Sequence, residues 1–142
     1  MHFDLVDRVI EQSPDRIVTI KQVTASEEYL QDHFPSFPVL PGVFMVESLV
    51  QAARRMLIDR PEAAGTRLVL GGVRALKYGS FVRPGETLRV EITLHKANPD
   101  GSFEVKGEGT VIRWGGAAST AEPPTPPQTA VSGRLTLRPM RA

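Results

Sequence analysis

The segment at residues 43–58 constrains the fold most strongly, because its apolar residues recur with a helical period around almost the whole circumference. A helix of this kind has to be buried on most of its sides. Asp59-Arg60-Pro61 ends the pattern, since proline lacks the amide proton that a helix interior needs. The sequence therefore predicts one long helix at the centre of the fold.

Short runs of apolar and β-branched residues on both sides of this helix predict strands. They lie at residues 5–11, 17–23, 68–73, 75–82, 87–96, 103–113 and 131–137. Clusters of proline, glycine, asparagine and aspartate predict turns at residues 13–15, 83–86 and 98–101. Residues 115–129 are rich in proline, alanine and threonine, which predicts a long exposed loop before the last strand.

This order of elements indicates an α+β fold in which an antiparallel β-sheet wraps around a long central α-helix. The 142 residues fit a single domain spanning residues 1–142. One sheet covers only part of so apolar a helix. The uncovered part therefore predicts a partner subunit.

Composition argues against several classes of function. The net charge of +1 does not indicate nucleic-acid binding, and the lack of cysteine excludes disulfides and thiolate chemistry. Three scattered histidines lack the spacing of metal ligands, and no glycine-rich phosphate loop is present. Without a signal-peptide pattern or a run long enough to span a membrane, the sequence predicts a cytoplasmic protein with no metal or cofactor.

The loop before the helix combines groups that serve in proton transfer. His33 lies on a segment with prolines at positions 35, 38 and 41, and this segment ends at Pro41-Gly42, where the helix begins. Glu47 follows near the start of the helix. An imidazole, a helix N-terminus and a carboxyl group in apolar surroundings are components of an acid–base site.

These residues resemble the signature of the 3-hydroxyacyl-acyl-carrier-protein dehydratases of fatty-acid biosynthesis, a hot-dog-fold family. The matching positions are His33-Phe34-Pro35, Pro38-Val39, Pro41-Gly42-Val43, Glu47 and Gln51, with a weaker similarity over residues 77–88. Ser36 departs from the family, which usually has glycine there. The resemblance implies dehydration of (3R)-3-hydroxyacyl thioesters on acyl carrier protein to trans-2-enoyl thioesters. It also implies a homodimer, with the option of a trimer of dimers, in which His33 of one subunit faces Glu47 of the other.

Each group in this signature has a chemical role to which it is suited. His33 is the candidate base because an imidazole titrates near neutral pH. Glu47 is the candidate acid, since apolar surroundings favour a protonated carboxyl group. Gly42, with Val43 beside it, is the candidate oxyanion and substrate-binding position, because amides at a helix start are free and glycine leaves room for the substrate carbonyl. Gln51 either orients Glu47 or is a polar interface residue.

Other assignments weigh against these. Glu47 could pair with Arg54 or Arg55, but two helical turns, about 10–12 Å, separate them. The two arginines are more simply explained as solvated charges near the helix C-terminus. Candidates for lining an acyl tunnel, as an alternative to the core, are Phe34, Phe37, Tyr78 and Phe81. Contacts with an acidic carrier protein, or else a solvated strand face, would explain Arg8, Arg74, Lys77 and Arg83.

Two other functions compete with dehydration. A hot-dog acyl thioesterase would use Glu47 to activate water for hydrolysis. A non-catalytic acyl-binding hot-dog module would bind acyl ligands without turnover, and the Ser36 departure and the proline-rich segment keep this alternative open.

Overall fold

The fold is seen in a computed structural model that describes residues 4–24, 39–63, 66–113 and 128–140. Its elements in chain order are β1 (Arg8–Ser13), β2 (Arg16–Gln22), α1 (Gly42–Leu57), a 3₁₀ turn (Pro61–Ala63), β3 (Leu68–Tyr78), β4 (Thr87–Ala97), β5 (Phe103–Ile112) and β6 (Gln128–Pro139). The strands form one antiparallel sheet in the spatial order β1-β2-β4-β5-β6-β3. The α+β architecture predicted from the sequence is confirmed.

The helix α1 packs across one face of this sheet and contacts five of its strands. Leu49 and Leu57 of α1 are completely buried, as are Phe103 of β5 and Leu137 of β6. Along β5, buried residues alternate with less buried ones, as expected for a strand with one face toward a core. Within the described ranges, no helix has the length and hydropathy to cross a membrane.

Two surfaces of this fold stay uncovered in the single chain. On α1, Val43 is 70% exposed, and Ile58, just beyond the helix, is 66% exposed. The sheet ends at β3, an eleven-residue edge strand that leaves Leu70, Leu76 and Tyr78 exposed. A long edge strand with apolar side chains offers unpaired backbone groups to another chain.

The predicted strand boundaries need correction at three places. Residues 68–78 form one strand rather than two, because Ala75 adopts a φ of 54° at a register irregularity and the strand continues through it. The chain leaves this strand at residue 79, so Val82 is not part of it. β1 begins at Arg8 instead of residue 5, and β6 begins at Gln128, which takes the last two residues of the predicted 115–129 loop.

The predicted turns are confirmed. Gly101 has a φ of 89° and donates its N–H to the Asn98 carbonyl at 3.1 Å. Gly85 has a φ of 91°, and the Glu86 N–H donates to the Arg83 carbonyl at 2.9 Å. Positive φ values favour glycine, which explains why both turns carry one. The rest of the predicted proline-rich loop, residues 115–127, lies outside the described residues.

Candidate active site

The N-terminus of α1 is held from both sides. Pro41 occupies the N-cap position, and its carbonyl accepts the N–H groups of Phe44 at 3.0 Å and Met45 at 3.2 Å. The Leu40 N–H donates to the Val82 carbonyl at 2.8 Å, which ties the helix start to the segment after β3. The N–H groups of Gly42 and Val43 have no acceptor among the described residues. In the described part of the chain, the helix therefore begins with two donors that have no acceptor, as helix geometry leads one to expect.

A cavity of about 260 Å³ adjoins this helix start. Its lining residues are Val39, Leu40, Gly42, Met45, Tyr78, Gly79, Ser80, Phe81 and Ala130. A Cβ built on Gly42 would lie only 2.9 Å from Cε1 of Tyr78 and 3.2 Å from its hydroxyl oxygen. The expectation that glycine leaves open space there is corrected: the Tyr78 ring fills the space that a side chain at position 42 would take.

Glu47 lies on α1 within a small polar network. Its Oε1 accepts hydrogen bonds from Gln51 Nε2 and from Arg54 Nη2, both at 3.2 Å. The Gln51 Oε1 in turn accepts the Leu5 N–H at 2.8 Å, which connects this network to the N-terminal segment. Both donors use Oε1, so Oε2 of Glu47 has no donor among the described residues. One oxygen of the carboxyl group is thus oriented by protein contacts, while the other has no contact of this kind with a described residue.

The ion pair with Arg54 corrects the sequence-based argument that two helical turns are too far for contact. Side chains on a helix lean toward its N-terminus, so the long Arg54 side chain extends back along the helix toward Glu47. Both side chains are partly exposed, at 31% for Arg54 and 41% for Glu47. Arg54 is therefore a contact of the candidate acid rather than a solvated charge. The predicted apolar surroundings of Glu47 are also corrected, because its partly exposed carboxyl group contacts an arginine and a glutamine.

Glu47 and the cavity lie on different faces of α1. Five residues after Gly42, Glu47 is rotated by roughly 140° around the helix axis. Glu47 and Val43 accordingly do not line the cavity, whereas Gly42 and Met45 do. Within one chain, the candidate acid and the candidate carbonyl-binding amide therefore face in different directions.

The ApeI-like family model, described as ApeI dehydratase, matches residues 9–115, which is three quarters of the chain. This chain belongs to the ApeI-like dehydratase family. Among curated relatives, the 3-hydroxyacyl-acyl-carrier-protein dehydratase FabZ of Oenococcus oeni is 46% identical over 93 residues, covering 65% of this chain and 67% of the relative. The FabZ of Clostridium perfringens is 36% identical over 120 residues, covering 84% of each.

Solved structures of similar shape support the fold of this ApeI-like protein. The dehydratase heterocomplex ApeI:P of Xenorhabdus doucetiae matches with a TM-score of 0.68 over 96% of this chain and 99% of the compared chain, at 17% sequence identity. The protein smu.793 of Streptococcus mutans, solved with acetyl CoA, matches with a TM-score of 0.67 at 12% identity. The hot-dog fold implied by the sequence resemblance is confirmed.

The other site residues predicted for this ApeI-like protein are distributed as follows. Tyr78 and Phe81 line the cavity, while Gln51 contacts Glu47. His33, Phe34 and Phe37 lie outside the described residues. Sequence reasoning did not single out Ala130 of β6 or Gly79, the residue after β3; both line the cavity and carry no local sign of a site. In the described part of the chain, no group of acidic or histidine side chains is placed to bind a metal.

A larger cavity, of about 450 Å³, lies at the opposite end of α1. Its lining residues are Gln12, Ser13, Pro14, Met56, Asp59, Arg60 and Pro61. Arg60 donates from Nη1 to the Pro14 carbonyl at 2.9 Å and to Asp15 at 3.2 Å, and from Nε to Glu62 at 3.0 Å. This cavity was not predicted from the sequence.

Proposed function

We propose that this ApeI-like protein dehydrates (3R)-3-hydroxyacyl thioesters on acyl carrier protein to trans-2-enoyl thioesters in fatty-acid biosynthesis. The observation that carries the proposal is the 36% identity to the Clostridium perfringens dehydratase over 84% of both chains. Identity at this level over almost the whole length supports a shared reaction as well as a shared fold.

The reaction needs a base, an acid and a donor to the carbonyl oxygen. The base removes the proton from C2, the electron pair of that bond forms the C2–C3 double bond, and the C3–O bond breaks. The acid protonates the departing hydroxyl group, so that water leaves. In the proposal His33 is the base and Glu47 the acid, while the Gly42 amide donates to the thioester oxygen.

The network around Glu47 supports its part in this scheme. Gln51 and Arg54 both bind Oε1, which fixes the orientation of the carboxyl plane. Oε2 is then the oxygen from which a proton can pass to the leaving hydroxyl group, directly or through a water molecule. Holding a catalytic group in one orientation lowers the entropic cost of reaching the transition state.

A homodimer is part of the same proposal. Within one chain, Glu47 and the cavity beside Gly42 face different ways. A second copy could pack on the exposed apolar residues of α1, such as Val43, and pair with the exposed edge of β3. This packing would bring Glu47 of one chain toward the cavity of the other. Further assembly into a trimer of dimers stays a prediction, as does the cytoplasmic location.

The acyl carrier protein is proposed as the partner because the curated relatives are named for substrates bound to it. Among the four basic residues considered from the sequence, Arg83 is exposed and lies two residues beyond Phe81, which lines the cavity. The Arg74 side chain pairs with Glu104 at 3.2 Å and does not line the cavity. We therefore expect Arg83→Glu to raise KM for carrier-bound substrate about tenfold, because it reverses a charge facing an acidic partner. Its effect on pantetheine thioesters should be much smaller.

An end-product assay with carrier-bound 3-hydroxyacyl thioesters of graded chain length tests the function. Dehydration gives the absorbance of a conjugated enoyl thioester without release of thiol. Release of free thiol would instead identify the protein as a thioesterase. Binding of acyl ligands without turnover at any chain length would identify a binding module.

Variants then test the assigned residues. His33→Ala and Glu47→Gln should each lower kcat by about 10²–10⁴, the usual contribution of general acid–base groups. His95→Ala and Glu62→Gln are matched controls, because both residues are exposed and neither lines the cavity beside Gly42. Wild-type rates in His33→Ala or Glu47→Gln would contradict the assignment.

A further inference from the structure

Some hydrogen-bond donors in the cavity beside Gly42 already bind an acceptor in the protein, and others do not. The Gly79 N–H donates to the Ala130 carbonyl at 2.8 Å, and the Ser80 hydroxyl donates to Gln128 at 2.8 Å. The Gly42 N–H and the Tyr78 hydroxyl have no acceptor among the described residues. The other described lining residues are apolar: Val39, Leu40, Met45, Phe81 and Ala130. As far as the described residues go, one mostly apolar cavity therefore has two donors without an acceptor, the Gly42 amide and the Tyr78 hydroxyl.

These two donors are close enough to bind one oxygen atom. A Cβ on Gly42 would lie 3.2 Å from the Tyr78 hydroxyl oxygen. Because a Cβ lies roughly 2.5 Å from the nitrogen of its own residue, the two donor atoms are at most about 5.7 Å apart. One acceptor atom that lies about 2.9 Å from each of two donors can bridge donors that are up to about 5.8 Å apart. A carbonyl oxygen has two lone pairs and can accept both bonds.

We propose that the Tyr78 hydroxyl is a second hydrogen-bond donor to the thioester carbonyl oxygen, beside the Gly42 amide. The substrate class rests on the proposed function. When the C2 proton leaves, negative charge develops on this oxygen, and both donors stabilise that charge more strongly than they stabilise the neutral carbonyl. The phenol keeps its proton throughout, so this role adds no proton transfer to the reaction.

The Tyr78 hydroxyl has no structural role among the described residues, because the residue is held by its backbone and its ring. Tyr78 ends β3 opposite Val131 of β6, and the next residue, Gly79, donates its N–H to the Ala130 carbonyl. The chain cannot shift there easily, since a Cβ at Gly79 would already lie 2.2 Å from the Thr129 carbonyl oxygen. Removing the hydroxyl alone should therefore leave folding and the position of the ring unchanged.

The test is Tyr78→Phe in the full-length protein, assayed with 3-hydroxyacyl pantetheine thioesters. We expect kcat to fall ten- to hundredfold, KM to change less than threefold, and melting temperature and oligomeric state to stay the same. The control is Phe81→Tyr, made alone and combined with Tyr78→Phe. It places a hydroxyl on the other aromatic residue of the cavity, and it should not restore activity.

A second measurement does not need turnover. The carbonyl stretching band of a bound saturated acyl pantetheine thioester should lie at lower frequency in the wild-type protein than in Tyr78→Phe. Replacing Tyr78 with 3-fluorotyrosine, whose phenol is a stronger donor, should lower the frequency further. The same readout applies if Tyr78→Phe alters assembly.

Wild-type kcat in Tyr78→Phe together with an unchanged carbonyl band would overturn the inference. This result differs from failure of the proposed function, in which the wild-type protein itself would not dehydrate any 3-hydroxyacyl thioester. The carbonyl band would still report on Tyr78 in that case, because it requires only that an acyl thioester binds.

Discussion

The two ends of α1 each adjoin a cavity, and the two cavities differ in how their polar groups are used. At the C-terminal end, the cavity is larger, but Arg60 binds three protein acceptors and Gln12 donates to the Arg55 carbonyl at 3.3 Å. At the N-terminal end, the cavity is smaller, and two donors, at Gly42 and Tyr78, have no acceptor in the described part of the chain. The first has its donors engaged in stabilising the fold, whereas the second keeps donors available for a ligand.

This difference shows that cavity volume alone is a poor guide to the site in this protein. The largest apolar pocket is the usual first choice for a binding site. Here the larger of the two cavities is the one in which the side-chain donors of Arg60 and Gln12 already bind protein acceptors. Donors for which no described residue is an acceptor, beside a mostly apolar cavity, remain available to an oxygen atom of a ligand and so indicate what the cavity can bind.

The largest expected effect comes from closing the N-terminal cavity at Gly42. In Gly42→Ala, the new methyl group would lie 2.9 Å from the Tyr78 ring, so the ring has to move. Movement of the ring and crowding of the amide should lower kcat/KM by about 10²–10³, the cost of losing an oxyanion donor. Steady-state kinetics with a pantetheine substrate measures this loss.

The matched control for that variant is Gly72→Ala in β3. A Cβ at Gly72 meets no atom of its own chain within 4 Å, so this substitution adds the same methyl group without a clash inside the chain. Because Gly72 lies on the strand proposed to pair with a second copy, size-exclusion chromatography has to show an unchanged oligomeric state. Its kcat/KM should stay within about twofold of wild type, since it disturbs neither donor. Equal losses in both variants would mean that the N-terminal cavity is not special.

A smaller effect is expected at Arg54, in the last turn of α1, which contacts Glu47. Arg54→Met keeps the apolar stem but removes the donor to Glu47 Oε1 and leaves Gln51 as the remaining contact. We expect kcat to fall about tenfold, equivalent to about 1.4 kcal/mol. Arg55→Met, at the exposed neighbouring position, is the control. If both variants reduce kcat to the same extent, the contact with Glu47 does not matter for turnover.

At the C-terminal end, the same type of substitution should change stability and leave catalysis intact. Arg60→Met removes the hydrogen bonds to Pro14, Asp15 and Glu62. Because Arg60 is 20% exposed, we expect a loss of about 1–2 kcal/mol in the free energy of unfolding, measured by urea denaturation. A drop in kcat as large as that of Arg54→Met would place catalytic function at this end and contradict the comparison.

The smallest expected effect is a pH dependence of stability near that same end. Arg16 donates to Glu91 at 2.8 Å, and this hydrogen bond lowers the pKa of Glu91 below its ordinary value of 4.5. The contribution of this hydrogen bond to the stability of the folded state is therefore fully present above pH 4.5. It is lost as the pH falls through the lower pKa that Glu91 has in the folded state. The melting temperatures of wild type and Glu91→Gln should differ at pH 7, and the difference should shrink as the pH falls through the folded-state pKa of Glu91. A constant difference across this range would show that ionisation of Glu91 is not responsible.

Much of the fold could be predicted from local patterns. The period of residues 43–58 predicted α1 to within one residue at each end, and Gly85 and Gly101 marked turns that need positive φ. The continuity of β3 was missed because Ala75 adopts a positive φ without being glycine, so the sequence shows no sign of it. Sequence patterns predict conformations that depend on neighbouring residues, whereas the positive φ of Ala75 depends on the pairing of β3 within the sheet.

The candidate site was less predictable for the same reason. Contact between Glu47 and Gln51 follows from one helical turn, and it is present. Contact between Glu47 and Arg54 depends on how far an arginine side chain extends along a helix. The seven-residue separation in the sequence does not include this reach. The packing of Tyr78 on Gly42 joins residues 36 positions apart and arises only once β3 lies beside the helix start.

The central claim is that the thioester carbonyl binds at the N-terminal end of α1. A crystal structure with a stable amide analogue of a 3-hydroxyacyl pantetheine thioester tests this claim most directly. We predict the amide oxygen of the analogue within hydrogen-bonding distance of the Gly42 nitrogen and the Tyr78 hydroxyl. An analogue bound in the cavity beside Arg60, with the Gly42 cavity unchanged, would contradict it.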